Sequence, residues 1–515
     1  MIILKLDANT WSSVLIKCKD LFDEEPALEL ALGPVIKDAI GKREKPPAKS
    51  LFLRWTLPFW FVLKNKFHLT GYLTLQKASK KTEDIITENP KGKKSFCVFG
   101  IDNTRENNFD LIFPVLKKID EKNETSILFT YFDVYNEKKD ELSTLKNTSI
   151  IFFENLLYKL NTFEIISKIG EANRLYNQFI KRVKDNEIND FVKQHKNEMI
   201  FRLEELLIFT ESLSKILKNK KSKFIFSWGG YFPFALIGKK LKIRTLMIQH
   251  GCFGNVDNPS EFGAAPPECS PHAADEIIMW GEHSKIKVQK LFKYDSTRKI
   301  FNLGNPFYDA VIEKYKDKKR SKEFYEKLKI DPNKKNIVMF SQTHVVDSDQ
   351  GGKFACRFIN PIIALDKLYD RLNSKINLII KLHPHETKKY YEKYLKNIDN
   401  VRIIKSELPL GEIFQYTDIS LSVSCTTTLE AMIFEIPTLQ LVLSEQGVRG
   451  ECYFDYGAAI HIKNEDALID TIEKIISNNY DLSDLKKNQK KFLEQNFANL
   501  GNATNKIVEH LLKDK

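Results

Sequence analysis

Cysteine is scarce in this chain and scattered. The seven residues, Cys18, Cys97, Cys252, Cys269, Cys356, Cys425 and Cys452, are odd in number and form no CxxC. That excludes a disulfide framework and offers no zinc spacing, so the expected compartment is reducing cytoplasm. No apolar run is long enough to span a bilayer. The start, Met1-Ile-Ile-Leu-Lys-Leu-Asp7, lacks a basic leader, a long apolar stretch and a small-residue cleavage site, so no secretion signal is expected. Also missing are a Gly-x-x-x-x-Gly-Lys-Ser/Thr loop, a Gly-x-Gly-x-x-Gly turn with its acidic ribose reader, a Gly-x-Ser-x-Gly elbow and His-x-x-x-His. These absences argue against P-loop, dinucleotide, serine-elbow and zinc-hydrolase chemistry. No solenoid repeat and no low-complexity tract occurs.

At 515 residues the chain is too long for one core, and two domains plus extensions are expected. Apolar content of 42% beside 29% charged residues describes a globular protein. Lys and Arg number 80 against 68 Asp and Glu, a formal +12 that suits an anionic partner. Nucleotides, nucleic acids, acidic glycans and lipid headgroups all qualify. Nucleic acid is set aside, because the basic residues are not interleaved with aromatics along one face. Much of the surplus lies in Lys-rich stretches such as 314–329, which read as solvated faces.

Residues 1–94 read as an N-terminal extension and linker. Inside them, 51–68 is dense in aromatics and ends in Lys64, Lys66 and His68. Such a segment suits either packing on the main body or a membrane interface. Strand–helix alternation starts at Ser95 and runs to Pro306, giving a first Rossmann-like domain over 95–306. It includes a long helical region from Glu164 to Lys218. A basic, polar connection spans 307–334. The alternation resumes over 335–490 as a second Rossmann-like domain, and 491–515 reads as a C-terminal helix. Alternation with short buried strands predicts parallel sheets covered on both faces. The expected class is α/β, with two Rossmann-like domains facing across a cleft where ligands meet the carboxyl ends of the strands.

The stretch from Asp418 to Leu439 is the most informative. Ile419, Leu421 and Val423 alternate with hydroxyl residues as in a strand, then a hydroxyl cluster makes a turn. Leu429, Met432 and Ile433 recur at helical spacing until Pro437. A strand–turn–helix unit aims free N–H groups at an anion above the strand. Ser424, Thr426, Thr427 and Thr428 would add hydroxyl donors to phosphate, and Glu430 could accept from a ribose diol. A Thr-rich cap on an ordinary crossover helix fits the same residues.

Other strand ends carry chemistry. Lys381-Leu-His383-Pro384-His385-Glu386 closes a buried strand, placing an imidazole where a leaving phosphate would sit. Gln249-His250-Gly251 closes a strand of the first domain, making His250 a candidate general base facing His383 across the cleft. Asp102, at another strand end, is the rival base. Gln342 and Thr343 are placed to touch donor phosphate. Asp347-Ser348-Asp349 spells a DxD, but a polar loop explains it, and no metal is expected. Asn305-Pro306-Phe-Tyr-Asp309 reads as a hinge.

The elements Ile248-Gln-His-Gly251, Trp280-Gly281, Leu303-Gly-Asn-Pro306, Lys381-Leu-His-Pro384 and Ser424-x-Thr-Thr-x-Leu-Glu-Ala431 with Pro437 together resemble two-domain GT-B glycosyltransferases. The resemblance covers roughly 223–441. It points to bacterial capsule and surface polysaccharide enzymes: Kdo transferases, polysialyltransferase-like proteins and, more distantly, CDP-glycerol polymerases. It implies that His383, Pro384, Lys381, Ser424, Thr426 and Thr427 hold the donor's phosphate, with Glu430 near its ribose. It also implies inverting, metal-independent transfer from a nucleotide sugar, CMP-linked by preference, to a glycan or lipid-linked glycan. No cofactor is expected. The enzyme would be cytoplasmic, at the inner face of the membrane if 51–68 makes contact. The chain departs from the pattern at Phe434-Glu435, where a Gly commonly precedes Ile-Pro, and at Val423-Ser424, where Gly-Gly is usual. Donor identity therefore stays open. A nonhydrolysing sugar-nucleotide epimerase, a CDP-polyol phosphotransferase and a non-catalytic nucleotide-binding scaffold remain alternatives on the same fold.

Overall fold

The computed structural model describes residues 14–44, 84–85, 95–101, 108–228, 232–249, 270–291, 298–315, 320–341, 359–383, 386, 388, 391–392, 395–396, 399–405, 408–423, 425, 427–442 and 457–513. The expectations for 51–68, Asp102, His250, Gln342, Thr343, Asp347, Pro384, Ser424 and Thr426 fall outside these residues.

Strands that are apolar on both faces need cover on both sides, and parallel pairing with crossover helices supplies it. One sheet contains β1 (Ser95–Ile101), β2 (Ser126–Thr130), β3 (Thr148–Phe152), β4 (Lys221–Trp228), β5 (Arg244–Ile248), β6 (Glu276–Met279) and β7 (Lys299–Asn302). Its order is β3-β2-β1-β4-β5-β6-β7, and every pairing is parallel. The other contains β8 (Lys335–Phe340), β9 (Ile376–Lys381), β10 (Arg402–Ile404), β11 (Ile419–Ser422), β12 (Thr438–Leu441) and β13 (Ile460–Ile462). Its order is β10-β9-β8-β11-β12-β13, again all parallel. The chain forms two compact units, one around each sheet. It passes from the first to the second at Phe307/Tyr308 and returns at Phe497/Ala498.

The period of two along each strand divides side chains between two cores per sheet. In the first unit, Cys97, Phe99, Ile101, Phe224 and Phe226 enter one core, while Val98, Ile127, Phe129 and Ile225 enter the other. Gly100 has a reason to lack a side chain, since a Cβ there would overlap the ring of Phe234. In the second unit, Ile337, Met339, Leu378, Ile380 and Leu421 oppose Val338, Phe340 and Ile379 in the same way.

The expected helical region from Glu164 to Lys218 resolves into three helices, Thr162–Arg182, Asn186–Gln194 and Lys196–Leu217. The first begins in a capping box, with Asn161 and Glu164 each accepting the other's backbone N–H. It ends where Val183 turns extended, and Asp185 then caps the second by accepting from the Ile188 N–H at 3.0 Å. Helices Lys19–Glu24 and Pro26–Glu44 of the N-terminal extension pack on this layer, burying Phe22, Leu28 and Leu32 with Phe179, Met199 and Leu203. In the segment read as a linker, Ile85 pairs antiparallel with Ile150, and Asp84 accepts from the Phe152 N–H at 3.1 Å. These contacts occupy the free edge of β3, which would otherwise invite another strand.

The stretch expected as a polar connection contains helix Lys322–Leu328, whose Phe324 and Leu328 are buried in the second unit's core. The last helix, Ala503–Leu512, returns to the first unit and buries Ile507, Val508 and Leu511 there. A fork from Arg244 to Glu276 (2.9 and 2.6 Å) and His510 beside Glu276 at 2.7 Å fasten it. Where the chain returns, the Ala498 N–H donates to the Trp280 carbonyl at 2.7 Å. Gly304 lies against that segment with φ +96°, a conformation that favours glycine. A Cβ on Gly304 would overlap the Ala498 carbonyl oxygen. Gly304→Ala is therefore expected to destabilise the first unit by about 2–5 kcal/mol. Urea denaturation followed by tryptophan fluorescence reads this directly, and an unchanged midpoint would contradict it.

Candidate functional site

Open parallel sheets bind ligands beyond the carboxyl ends of their strands, where the strand order reverses. In the second sheet that point lies between β8 and β11. The hydroxyl turn follows β11 directly, Ser341 follows β8, and His383 follows the neighbouring β9. Topology therefore brings two of the sequence-predicted elements, the hydroxyl turn and His383, to one end of one sheet, with Ser341 beside them.

The ends of β8 and β9 are tied by a closed set of hydrogen bonds. The His383 N–H donates to Ser341 Oγ at 2.9 Å and to Glu386 Oε2 at 3.1 Å. The Ser341 hydroxyl in turn donates to the same carboxylate oxygen. The Glu386 N–H returns to the His383 carbonyl at 2.9 Å. Burial pushes the Glu386 carboxyl up from its ordinary range, and the bonds from Ser341 and His383 oppose that shift. Two ammonium groups stand at this corner. Lys405 Nζ donates to the Glu386 carbonyl at 3.1 Å, and Lys381 Nζ to the Leu382 carbonyl at 3.0 Å. His383 is half-buried, with its backbone held by Ser341 and Glu386, and these two lysines reach the carbonyls on either side of it in sequence.

The turn after β11 is fixed from beneath. Ser422 and Thr428 are fully buried and their hydroxyls meet at 2.6 Å. Gln440 Nε2 on β12 donates to the Val423 carbonyl at 2.8 Å, with His461 behind Gln440 at 3.2 Å. Thr427 is half-buried and accepts from the Cys425 thiol at 3.2 Å. Helix Thr427–Ile433 then ends in a Schellman motif: the Ile436 N–H bonds the Ala431 carbonyl at 3.2 Å and the Glu435 N–H bonds Met432 at 2.9 Å. Glu435 carries the left-handed φ of +59° that the motif requires. It stands at the position where the resemblance led one to expect glycine, so the backbone keeps the glycine geometry with another residue in it.

Glu430, one turn into that helix, is 5% exposed. Its Oε1 accepts from the Tyr308 hydroxyl at 3.3 Å, and its Oε2 has no hydrogen-bond partner among the described residues. Burial pushes its carboxyl up to about 8, opposed by the single bond from Tyr308.

In the first unit, the Gln-His-Gly and Trp-Gly elements form one structure. Gln249 is fully buried at the end of β5. Its Oε1 accepts from the Trp280 N–H at 2.9 Å, and its carbonyl from Trp280 Nε1 at 3.0 Å. Its Nε2 donates to Ser284 Oγ at 3.0 Å. This clamp fixes the backbone from which His250 continues. Among the described residues no group of three His, Cys, Asp or Glu side chains could hold a metal ion, and no helix is long and apolar enough to cross a membrane.

Sequence reasoning assigned no role to Ser341, Glu386 or Lys405, and took Gln249 and Tyr308 only as parts of a strand-end motif and of a hinge. For Glu386 a local signal existed, since an acidic residue three after His383 can reach back to its N–H as in a capping box. Tyr308 and Gln249 had none, because their partners lie far along the chain.

The Glu430 carboxyl yields a pH test. An acid whose folded pKa lies above its unfolded value holds an extra proton when folded. Stability from this group is therefore full below the ordinary value of 4.5 and is lost as pH rises towards about 8. Over that window wild type should lose up to about 1.4 kcal/mol per pH unit relative to Glu430→Gln. Thermal melts across the range measure the difference, and parallel profiles for the two proteins would contradict it.

Comparison with known proteins adds family and fold. A model of the CDP-glycerol:poly(glycerophosphate) glycerophosphotransferase family matches residues 144–513. No curated protein matches the chain. Among solved structures, UDP-GlcNAc 2-epimerase from Neisseria meningitidis bound to UDP-GlcNAc is 19% identical with a TM-score of 0.51, covering 82% of this chain and 100% of that one. S. aureus MnaA with UDP is 16% identical with a TM-score of 0.51, covering 81% of this chain and 96% of that one. The wall teichoic acid polymerase TagF is 11% identical with a TM-score of 0.45, covering 89% and 96%. At such identities the epimerase likeness is one of fold, the GT-B class expected from the motifs. The family match spans more than half of the sequence and takes in β3 to β7 of the first sheet and all of the second: the chain belongs to the CDP-glycerol:poly(glycerophosphate) glycerophosphotransferase family.

Proposed function

We propose that the protein is a transferase that releases CMP, taking a polyol phosphate from a CDP-linked donor and passing it to a hydroxyl of a surface glycan or lipid-linked glycan. The observation that carries this reading is the family match over 144–513, which includes every strand from β3 to β13. In the proposed step the acceptor oxygen attacks the β-phosphorus of the donor. The bond from that phosphorus to the bridging oxygen breaks, CMP leaves with the electron pair, and the acceptor proton passes to a base. His250 is the proposed base and Asp102 its rival. The departing phosphate gains charge, and preorganised donors stabilise it most where water is excluded. His383, with Lys381 and Pro384 at the end of β9, is assigned to that phosphate. Ser424, Thr426 and Thr427 of the turn join it, with Thr428 securing the turn through Ser422. Gln342 and Thr343 complete the donor contacts, and Glu430 receives the ribose hydroxyls. No metal and no cofactor enter this scheme. Glu430 Oε2, buried and without a partner among the described residues, supports the ribose role, because a buried polar oxygen left unbonded is available to a ligand.

A CMP-linked sugar is the second reading, favoured by the motif resemblance to Kdo transferases and polysialyltransferase-like proteins. There the acceptor attacks the anomeric carbon with inversion, and the leaving group is the same CMP. Product analysis separates the two. With CDP-glycerol, phosphorus is retained in the product as a phosphodiester; with a CMP-sugar, the product is a phosphorus-free glycoside.

A thermal-shift panel of CMP, CDP, UDP and GDP tests nucleotide choice, since a ligand at a hundredfold excess over its Kd stabilises by about 2.7 kcal/mol. Cytidine nucleotides should stabilise most. Stabilisation by UDP alone would favour an epimerase, and stabilisation without turnover of any donor would favour a binding scaffold. His383→Ala should abolish the shift, whereas His250→Ala should keep it and lose transfer. Unimpaired transfer by His250→Ala would remove His250 as the base.

A further inference from the structure

Tyr308, within the stretch read as a hinge, makes contacts that a hinge does not require. It begins the long run 308–497 of the second unit, and Phe497 ends that run. Their rings meet edge to face at 4.8 Å between centroids, inclined at 74°. Tyr308 is 1% exposed, so the ring has no room to turn away. Its hydroxyl is committed across 122 residues of sequence to Glu430 Oε1. A buried tyrosine hydroxyl needs a partner, and a buried carboxyl needs one more. Here each serves the other, and among the described residues Glu430 is left with one oxygen bonded and one open.

We propose that Tyr308 is a positioning residue for the donor: it holds Glu430 by one carboxyl oxygen so that the other is presented to the ribose hydroxyls of the bound nucleotide. The inference rests on the donor reading above for the role of Glu430 and goes beyond it in assigning Tyr308. The ring is braced by Phe497, so the hydroxyl direction is set before the ligand arrives. Preorganisation of this kind raises affinity by removing an ordering cost from the binding step. It also makes a residue at the chain crossing part of the ribose site.

Tyr308→Phe tests this, because it deletes the hydroxyl and keeps the ring on Phe497. Affinities of CMP, UMP and GMP, and of their 2′-deoxy counterparts, are measured by calorimetry for wild type, Tyr308→Phe and Glu430→Gln, each verified as folded by its thermal melt. Wild type should prefer the ribose form of its nucleotide over the deoxy form. Tyr308→Phe should weaken the ribose form by about tenfold and leave the deoxy form little changed, collapsing the preference. Glu430→Gln should lose the same preference. A merely structural role for Tyr308 would weaken both forms equally, and that result overturns the proposal. If a nucleotide other than CMP shows the pattern, the Tyr308 assignment stands and the cytidine reading falls. If CMP binds with a ribose preference that Tyr308→Phe leaves intact, the cytidine reading stands and the Tyr308 assignment falls. Binding of none of the monophosphates overturns both.

Discussion

A carboxyl group buried with one hydrogen bond is a costly thing for a fold to keep. Among the described residues Glu430 is such a group, bonded by Tyr308 alone, and burial pushes its carboxyl up to about 8. An aliphatic side chain of similar size would fill the same space without the desolvation cost. The surroundings also fix its place closely. The helix that carries it is bounded at one end by the Ser422–Thr428 hydroxyl pair and at the other by a Schellman motif with Glu435 in the left-handed region. Tyr308 sets one carboxyl oxygen, and Phe497 braces Tyr308. A fold that spends this much order on one acid holds one carboxyl oxygen in a defined place on the helix after β11, where the proposed partner is a nucleotide's ribose.

The same economy recurs at the neighbouring strand ends. Parallel strands release their chains at one edge, so residues distant in sequence arrive there side by side. Each arrival is fastened by a buried polar side chain. Glu386 ties the end of β9 to Ser341 after β8, Gln440 holds the end of β11, and Gln249 joins the end of β5 to Trp280 after β6. None of these side chains has to touch a ligand to matter. Each fixes the backbone from which a candidate ligand-binding residue follows.

How much of this was legible follows from where the information lies. The strands were readable because a parallel sheet buried on both faces demands unbroken apolar runs such as Phe224-Ile-Phe226 and Leu378-Ile-Ile380. The turn after β11 was readable because hydroxyl residues and helical spacing meet within a few residues. The break of the long helical region at Asp185 was less so, since amphipathic spacing continues past it and the cap alone marks a new helix. The departure at Glu435 was visible as a missing glycine, but the sequence could not say that the backbone geometry survives. The braces escaped, because Tyr308 and Glu430, or Gln249 and Trp280, share no local pattern and meet only when the sheets form. The helical packing of the N-terminal extension escaped for a related reason: its apolar residues find partners around Phe179 and Met199, far along the chain.

The most direct test of the account is a crystal structure of the protein with CMP. The account predicts the phosphate within hydrogen-bonding distance of the turn that follows β11 and of the imidazole that follows β9, with the ribose on Glu430 Oε2. A nucleotide bound away from the carboxyl ends of the second sheet, with Glu430 still facing only Tyr308, would contradict it.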